Sequence, residues 1–169
     1  MKLENTIGAL SFAISDAIHH STQEEAPEAG PAAATLALLN HEPGMSIERL
    51  RRSLGLSHPG AVRLVDRLVS EGVVERRQAE NDRRAVALYL TPAGNATCAS
   101  VLAARQTRVA DALELLDPTE REILGRLTEK LLKGLVKDLD HAYSVCRLCD
   151  AAACPDCPVE GALNDSYCS

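Results

Sequence analysis

The stretch LRRSLGLSHPGAVRLVDRLVSEGVVERRQAENDRRAVALYLTPAG, residues 50–94, decides the fold. Its first part contains two short helical patterns interrupted at Gly55. Ser57 is placed to cap the second of them, and Ser46, just upstream of the stretch, is placed to cap the first. Alternating apolar side chains and a turn-forming Asn-Asp pair then predict a β-hairpin over residues 73–90. Two helices joined by a tight turn and followed by a hairpin predict a winged helix-turn-helix, a mainly α fold with a small β wing.

Helices are also predicted on both sides of this stretch. Apolar side chains recur every three or four residues over 3–20, and an Ala- and Leu-rich helix follows at 32–41 after a polar, proline-containing loop. Downstream, Thr91 and Asp117 are placed to cap two helices of about 25 residues each, the second reaching as far as Tyr143. The leucine stripes of these long terminal helices exceed what one small domain can cover. They predict a homodimer interface built from both ends of the chain, with an intramolecular helical hairpin as the alternative.

Arginine is concentrated in the same part of the chain. Residues 49–84 contain nine arginines, no lysine and five acidic residues, so this window carries +4 although the whole chain carries −6. Local charge is what meets phosphate, and arginine suits bidentate contacts to phosphate and guanine. A solvated charged surface is the alternative reading of the charges alone. The chain has one Phe, three Tyr and no Trp, which disfavours stacking on single strands and favours double-stranded DNA as the partner.

Composition places few other limits on function. The 169 residues are enough for one domain with a hydrophobic core, and no apolar run is long enough to predict a membrane span. The N-terminus lacks the pattern of a signal peptide, so we expect a cytoplasmic protein. No nucleophile–base pair, phosphate-binding glycine loop or paired carboxylates stands out, and we therefore expect no enzymatic activity.

The arrangement resembles the MarR family of bacterial regulators over residues 5–143. The resemblance is carried by a serine-capped recognition helix containing RLVDRL, a G-x-V-x-R segment, an Asp-Arg-Arg wing and a closing LT-x-x-G. It implies a homodimer on a pseudo-palindromic operator, with one recognition helix in each major groove. It also implies that a small effector, often aromatic and anionic, binds between helices 1, 2 and 5.

The first group of candidate DNA-binding residues lies on the recognition helix. Its exposed start is where base edges are read, and its free amides can also hold a phosphate. Arg63 is one turn further along the same face, within reach of guanine or phosphate, and Arg67 continues that face toward phosphate. For Arg67, an ion pair with Glu71 or with Asp66 of a neighbour is the alternative.

The second group lies on the wing. The family resemblance assigns Arg84 to the minor groove, with Arg83 sharing this role, and Asp82 to steadying the hairpin. Arg76 and Arg77, at the base of the wing, are expected to hold backbone or other side chains instead. The complete set of candidate DNA-binding residues is Ser57, His58, Pro59, Gly60, Arg63, Arg67, Asp82, Arg83 and Arg84.

Four cysteines fall within twelve residues of the C-terminal tail, as Cys146-x2-Cys149-x4-Cys154-x2-Cys157. Two C-x-x-C steps in a cytosolic chain favour a metal over a structural disulfide, and four thiolates can complete a tetrahedral zinc site. An iron–sulfur cluster, redox-active thiols without metal, and an extension without function are the alternatives. We hypothesise that the cluster braces the dimer end or senses metal or redox state. A further cysteine, Cys98, is predicted to be a buried core residue.

These patterns predict four regions. They are an N-terminal dimerisation helix and loop at 1–30, a winged helix-turn-helix DNA-binding lobe at 31–91, C-terminal dimerisation helices at 92–145, and a cysteine-rich tail at 146–169. The predicted function is that of a DNA-binding transcriptional regulator, a repressor. A winged-helix module for protein interaction or metal buffering that binds no DNA is the alternative, because fold alone does not fix function.

Overall fold

Helices dominate the computed structural model, which describes residues 1–27, 30–79, 85–154 and 156–167. Within these ranges a three-stranded antiparallel sheet and a short 3-10 turn accompany the helices. In chain order the elements are α1 (Lys2–Glu25), α2 (Ala32–His41), β1 (Met45–Ser46), α3 (Ile47–Ser53), α4 (His58–Ser70), β2 (Val74–Gln78), β3 (Val86–Leu90), α5 (Pro92–Leu113), α6 (Pro118–Leu135), α7 (Leu139–Cys146), the 3-10 turn (Ala151–Ala153) and α8 (Pro158–Tyr167).

Serine side chains start both helices of the helix-turn-helix. Ser46 Oγ accepts a hydrogen bond from the backbone N–H of Arg49 at 3.1 Å, and Ser57 Oγ accepts one from that of Gly60 at 3.2 Å. Each bond satisfies an amide that the helix itself leaves unpaired. The predicted caps and the predicted recognition helix, α4, are thereby confirmed.

The wing strands β2 and β3 pair in antiparallel register, from Val74 opposite Leu90 to Gln78 opposite Val86. Strand β1 pairs with the other edge of β3, so β3 is central. The hairpin confirms the strand periodicity in the sequence. Strand β1 was not predicted, because two residues are too few for an alternating pattern to be recognised.

The hydrophobic core lies where α2, α3, α4, α5 and the sheet meet. Helix α2 is buried from residue 32 to residue 39, while α4 buries one side only. Fully burying a leucine side chain contributes roughly 1.5–3 kcal/mol, so this cluster dominates the stability of the lobe. Its largest buried aliphatic side chains include Leu36, Leu38, Leu39, Leu50, Leu64, Leu68 and Leu88.

The start of α5 is fastened to the end of the recognition helix. Thr91 Oγ1 accepts a hydrogen bond from the N–H of Gly94 at 3.0 Å and donates to the carbonyl of Gly72 at 2.6 Å. A Cβ added at Gly94 would lie 1.9 Å from the carbonyl oxygen of Val73. Only glycine permits this approach of helix to backbone, which gives the LT-x-x-G ending its physical reason.

The second C-terminal helix is shorter than predicted. Helix α6 ends at Leu135, and α7 starts a separate helix capped by Asp138, whose carboxylate accepts a hydrogen bond from the N–H of His141 at 2.8 Å. The expectation of one helix reaching Tyr143 is therefore wrong. Leucine spacing continues across the break and conceals it in the sequence.

The first helix is longer than predicted and includes part of the expected loop. Ser21 and Thr22 are buried, and their hydroxyls donate to the carbonyl of Ile18 at 3.1 and 2.8 Å. These local bonds satisfy the hydroxyls without interrupting the helix. Helix α1 then ends at Glu25, shortly before Pro27, because the residue preceding a proline disfavours helical geometry.

Two helices leave apolar faces uncovered in the single chain. Helix α1 packs along α5 but exposes its N-terminal half, and the most extensive contact of α6 is with α8. None of the described helices combines the length and apolar character that crossing a membrane requires. The exposed large apolar side chains of α1 and α6 include Leu3, Ile7, Leu10, Phe12, Ile123, Leu124, Leu127, Leu131 and Leu135.

Candidate functional site

The outward side of α4 brings the candidate residues of the recognition helix together. His58 and Pro59 are exposed at its first turn, where Gly60 is partly exposed, and Arg63 and Arg67 are exposed further along the helix. The two guanidinium groups can hold anionic oxygens. The amides of the first turn offer less than expected, because Pro59 has no N–H and the N–H of Gly60 is bonded to Ser57 Oγ. Arg63 has no ion-pair partner among the described residues, so its charge is available on this surface.

The base of the wing is tied to the same helix. Arg76 Nη2 of β2 donates to Asp66 Oδ1 of α4 at 2.6 Å. The guanidinium of Arg77 pairs with Glu75 and lies over the ring of Tyr89, 4.7 Å from its centroid. Both arginines therefore hold other side chains, as predicted.

The tip of the wing lies outside the described residues. Asp82, Arg83 and Arg84 fall within residues 80–84, which the structure does not describe. Their assignment to the minor groove and to the hairpin stays a prediction.

The four clustered cysteines line one cavity of about 360 Å³. Cys146 ends α7, and Cys149 follows a turn in which its N–H donates to the Cys146 carbonyl at 2.8 Å. Cys154 follows the 3-10 turn, and Cys157 directly precedes α8. Cys154 is exposed and the other three are half-buried. The structure therefore gathers thiols that are up to eleven positions apart in the chain.

The thiols of this cluster differ in acidity. A hydrogen bond from the Cys146 thiol, helped by the charges of Arg105 and Arg147, lowers the pKa of Cys149 to about 6. The same bond and burial raise the pKa of Cys146. Burial also raises the pKa of Cys154. Within the pair of Cys146 and Cys149, the thiol of Cys149 is thus the one that ionises first.

The tail packs against the helix-turn-helix through α7. Asp140 pairs with Arg52 of α3 at 3.5 Å, and the guanidinium of Arg49 lies 5.3 Å from the ring centroid of Tyr143. The Tyr143 ring also meets His41 edge-on, with 6.3 Å between the ring centroids. Sequence reasoning missed these contacts, because no local pattern links α7 with α3.

Cys98 is buried in α5, as predicted, and burial raises the pKa of its thiol to about 11. A second cavity of about 330 Å³ lies beside it, lined by α2, α5 and Asp150 of the tail. This cavity touches two of the three helices between which an effector was expected. Cys168 lies outside the described residues.

The order of helices, the capped recognition helix and the paired wing strands define a winged helix-turn-helix protein. Residues 29–85 match the model of the MarR family. A MarR family protein from Bacillus stearothermophilus has a similar fold, with a TM-score of 0.71 and 23% identity, covering 80% of this chain and 94% of that one. The transcriptional repressor CouR, solved bound to a 23-mer DNA duplex, is similar with a TM-score of 0.59 and 25% identity over 76% of this chain and 91% of that one.

A relative from Escherichia coli (strain K12), the transcriptional repressor MprA, is 36% identical over 83 residues, which are 49% of this chain and 47% of that repressor. The chain thus spans about half the length of the curated relative it matches. Together the matches show that residues 29–85 are similar to the MarR family and that the fold is that of MarR-type winged-helix proteins, in agreement with the sequence resemblance. The relatives named here are transcriptional repressors, which agrees with the expectation of a regulator.

Proposed function

We propose that this chain is a transcriptional regulator, acting as a repressor, that binds double-stranded DNA as a homodimer on a pseudo-palindromic operator. The observation that carries the proposal is the outward side of α4, where a capped helix start and two exposed arginines lie beside the wing. The printed names of MprA and of the CouR–DNA complex support it. This function implies the cytoplasmic location expected from the sequence.

The recognition helix supplies the base-reading part of the proposal. In this account Ser57 fixes the helix start, while His58, Pro59 and Gly60 approach base edges in the major groove. Arg63 contacts guanine or phosphate, and Arg67 contacts phosphate. Short side chains at the helix start leave few direct base contacts, so the arginines supply much of the affinity.

The wing supplies the minor-groove part. We assign Arg84, assisted by Arg83, to the minor groove and Asp82 to the hairpin, on the family resemblance alone. A narrow A·T-rich groove attracts arginine because its negative potential is enhanced. The Arg76–Asp66 pair would hold the wing at a fixed angle to the recognition helix.

The homodimer is supported by the uncovered apolar faces of α1 and α6. Leu127 and Leu131 are 54% and 58% exposed in the single chain, and Phe12 is 74% exposed. Soluble proteins rarely leave such contiguous apolar patches in water. A second copy of the chain fits because the same two helices are offered by both partners, as a two-fold interface requires. Regions 1–30 and 92–145 are accordingly proposed as dimerisation elements.

An effector would bind in the second cavity, between α2 and α5. A small aromatic compound suits its volume and its apolar Leu102. Asp150 lines the same cavity and disfavours an anionic ligand. We therefore propose an uncharged or cationic effector for this cavity rather than the anionic one that the family resemblance implies.

The experiment uses a duplex enriched from a random-sequence pool by repeated binding to the full chain. We expect Arg63→Ala to weaken binding to this duplex by about tenfold or more, because one good arginine contact is worth 1–3 kcal/mol. Arg108→Ala is the matched control, since it removes the same charge from an exposed arginine paired only loosely with Asp111 at 3.7 Å. Fluorescence anisotropy measures both affinities.

Two results would contradict the proposal. Equal losses for Arg63→Ala and the control would remove α4 from the DNA-binding surface. No enrichment of any duplex would favour the alternative, a winged-helix module for protein interaction or metal buffering.

A further inference from the structure

We propose that Cys146, Cys149, Cys154 and Cys157 bind one zinc ion, which clasps the C-terminal tail between α3 and α6. This site is separate from the DNA-binding surface and does not rest on the proposed function. Zinc prefers four thiolates in a tetrahedral arrangement, and the described cysteines supply that number from one short segment.

The first support is the convergence of the four thiols on one cavity. All four cysteines line the same cavity of about 360 Å³, so their thiols share one space in which a single ion can be held. The C-x2-C-x4-C-x2-C spacing matches neither ferredoxin pattern, which favours zinc over an iron–sulfur cluster.

The second support is the shortage of apolar core in the tail. Among the described residues from 139 onward, Ala142 and Val159 are the apolar side chains that are fully buried. Segments that bury so little surface need a covalent or metal cross-link to hold a defined structure. In a reducing compartment that cross-link is a metal rather than a disulfide.

Metal binding requires a rearrangement of the tail. Within the part of the chain that the structure describes, no group of three or more His, Cys, Asp or Glu side chains is already arranged to hold a metal ion. Cys154 is the exposed thiol of the four, so it is the ligand that would have to move inward. Zinc binding is therefore expected to make the tail more compact and more ordered, as it does in small domains whose folding is coupled to metal binding.

The tail contacts two separate parts of the chain, so ordering it by a metal ion would link them. Helix α7 holds α3 through the Asp140–Arg52 pair and the Tyr143–Arg49 contact, while α8 packs on α6. The four cysteines lie between these two attachments. The ion would thus join the helix-turn-helix lobe to α6 within one chain, which differs from the dimer-end brace expected from the sequence.

The first test measures metal in the full chain purified without oxygen and without chelators. We expect one zinc per chain, lost in Cys149→Ser and in Cys157→Ser but retained in the matched control Cys98→Ala. Zinc added to reduced, metal-free protein should protect four of the six cysteines from a thiol reagent. Circular dichroism checks that each of the three variants is folded.

The second test measures the clasp itself by tryptic cleavage after the exposed Arg147. We expect zinc to slow this cleavage by tenfold or more and a chelator to restore it. Iron with acid-labile sulfide, two intramolecular disulfides in the purified protein, or no zinc uptake by the reduced chain would each overturn the proposal. An unchanged cleavage rate on zinc binding would overturn the clasp.

Discussion

Arg76 of the wing donates to Asp66 of the recognition helix, with 2.6 Å between Nη2 and Oδ1. The pair joins the two elements proposed to enter adjacent grooves of one duplex. Both side chains are at least one-third exposed, so the pair contributes little to folding stability, on the order of 0–1 kcal/mol. We propose that its consequence is positional, since the pair links the side chains of α4 and β2 directly.

Breaking this pair should weaken DNA binding whether the substitution removes a positive or a negative charge. Arg76→Ala removes a positive charge and Asp66→Asn removes a negative one, yet we expect both to lower affinity by several-fold with little change in melting temperature. Anisotropy with the selected duplex measures this. Tighter binding of Asp66→Asn would show instead that Arg76 acts through its charge and not through position.

Gly94→Ala should destabilise the lobe strongly. The new Cβ would meet the Val73 carbonyl oxygen at 1.9 Å, and backbone cannot yield as a flexible side chain does. We expect a loss of about 3 kcal/mol or more in the free energy of unfolding. Gly125→Ala is the control, since open space surrounds its Cβ position in α6, and it should gain roughly 0.5–1 kcal/mol. Denaturant titration distinguishes the two, and equal stabilities would refute the close approach.

Leu127→Glu should separate the proposed dimer. A carboxylate placed in an apolar interface must be desolvated, so we expect the dimer dissociation constant to rise at least about a hundredfold. Arg126→Glu introduces the same side chain one position away from the leucine spacing and should leave the dimer intact. Light scattering after size-exclusion chromatography measures the mass. A monomeric wild-type chain, or an unaffected Leu127→Glu dimer, would exclude α6 from the interface.

Cys98 should make stability fall at alkaline pH. Burial raises its pKa from the ordinary value of 9.0 to about 11. The unfolded chain therefore releases this proton first, and the stabilisation is complete below pH 9 and lost as the pH rises toward 11. The loss is on the order of 2 kcal/mol. Cys98→Ala should lack this component of the pH slope, and identical slopes for both proteins would contradict it.

Local patterns in the sequence predict most of the winged helix. Ser46, Ser57, Thr91 and Asp117 all cap the helices they were expected to cap, because capping depends on residues three positions apart at most. The buried side of α4 and the two strands of the wing follow from periodicity in the same way. The match to the MarR family then agrees with the motif-based resemblance.

Contacts between residues that are distant in the sequence could not be predicted from local patterns. The Asp66–Arg76 pair spans ten positions, and the contact of Tyr143 with Arg49 joins α7 to α3, which are far apart in the sequence. The break between α6 and α7 was missed because leucines continue through it. Asp138 was the available signal, since an N-cap residue within a helical pattern marks a new start.

The salt dependence of DNA binding tests the central claim most directly. If Arg63 and Arg67 of both protomers meet phosphate, affinity for the selected duplex should fall on the order of 100-fold between about 50 and 200 mM salt, through counterion release. Arg63→Ala should make this dependence shallower. Binding that is absent, or unchanged across this range, would contradict a DNA-binding regulator and favour a winged-helix module for protein interaction.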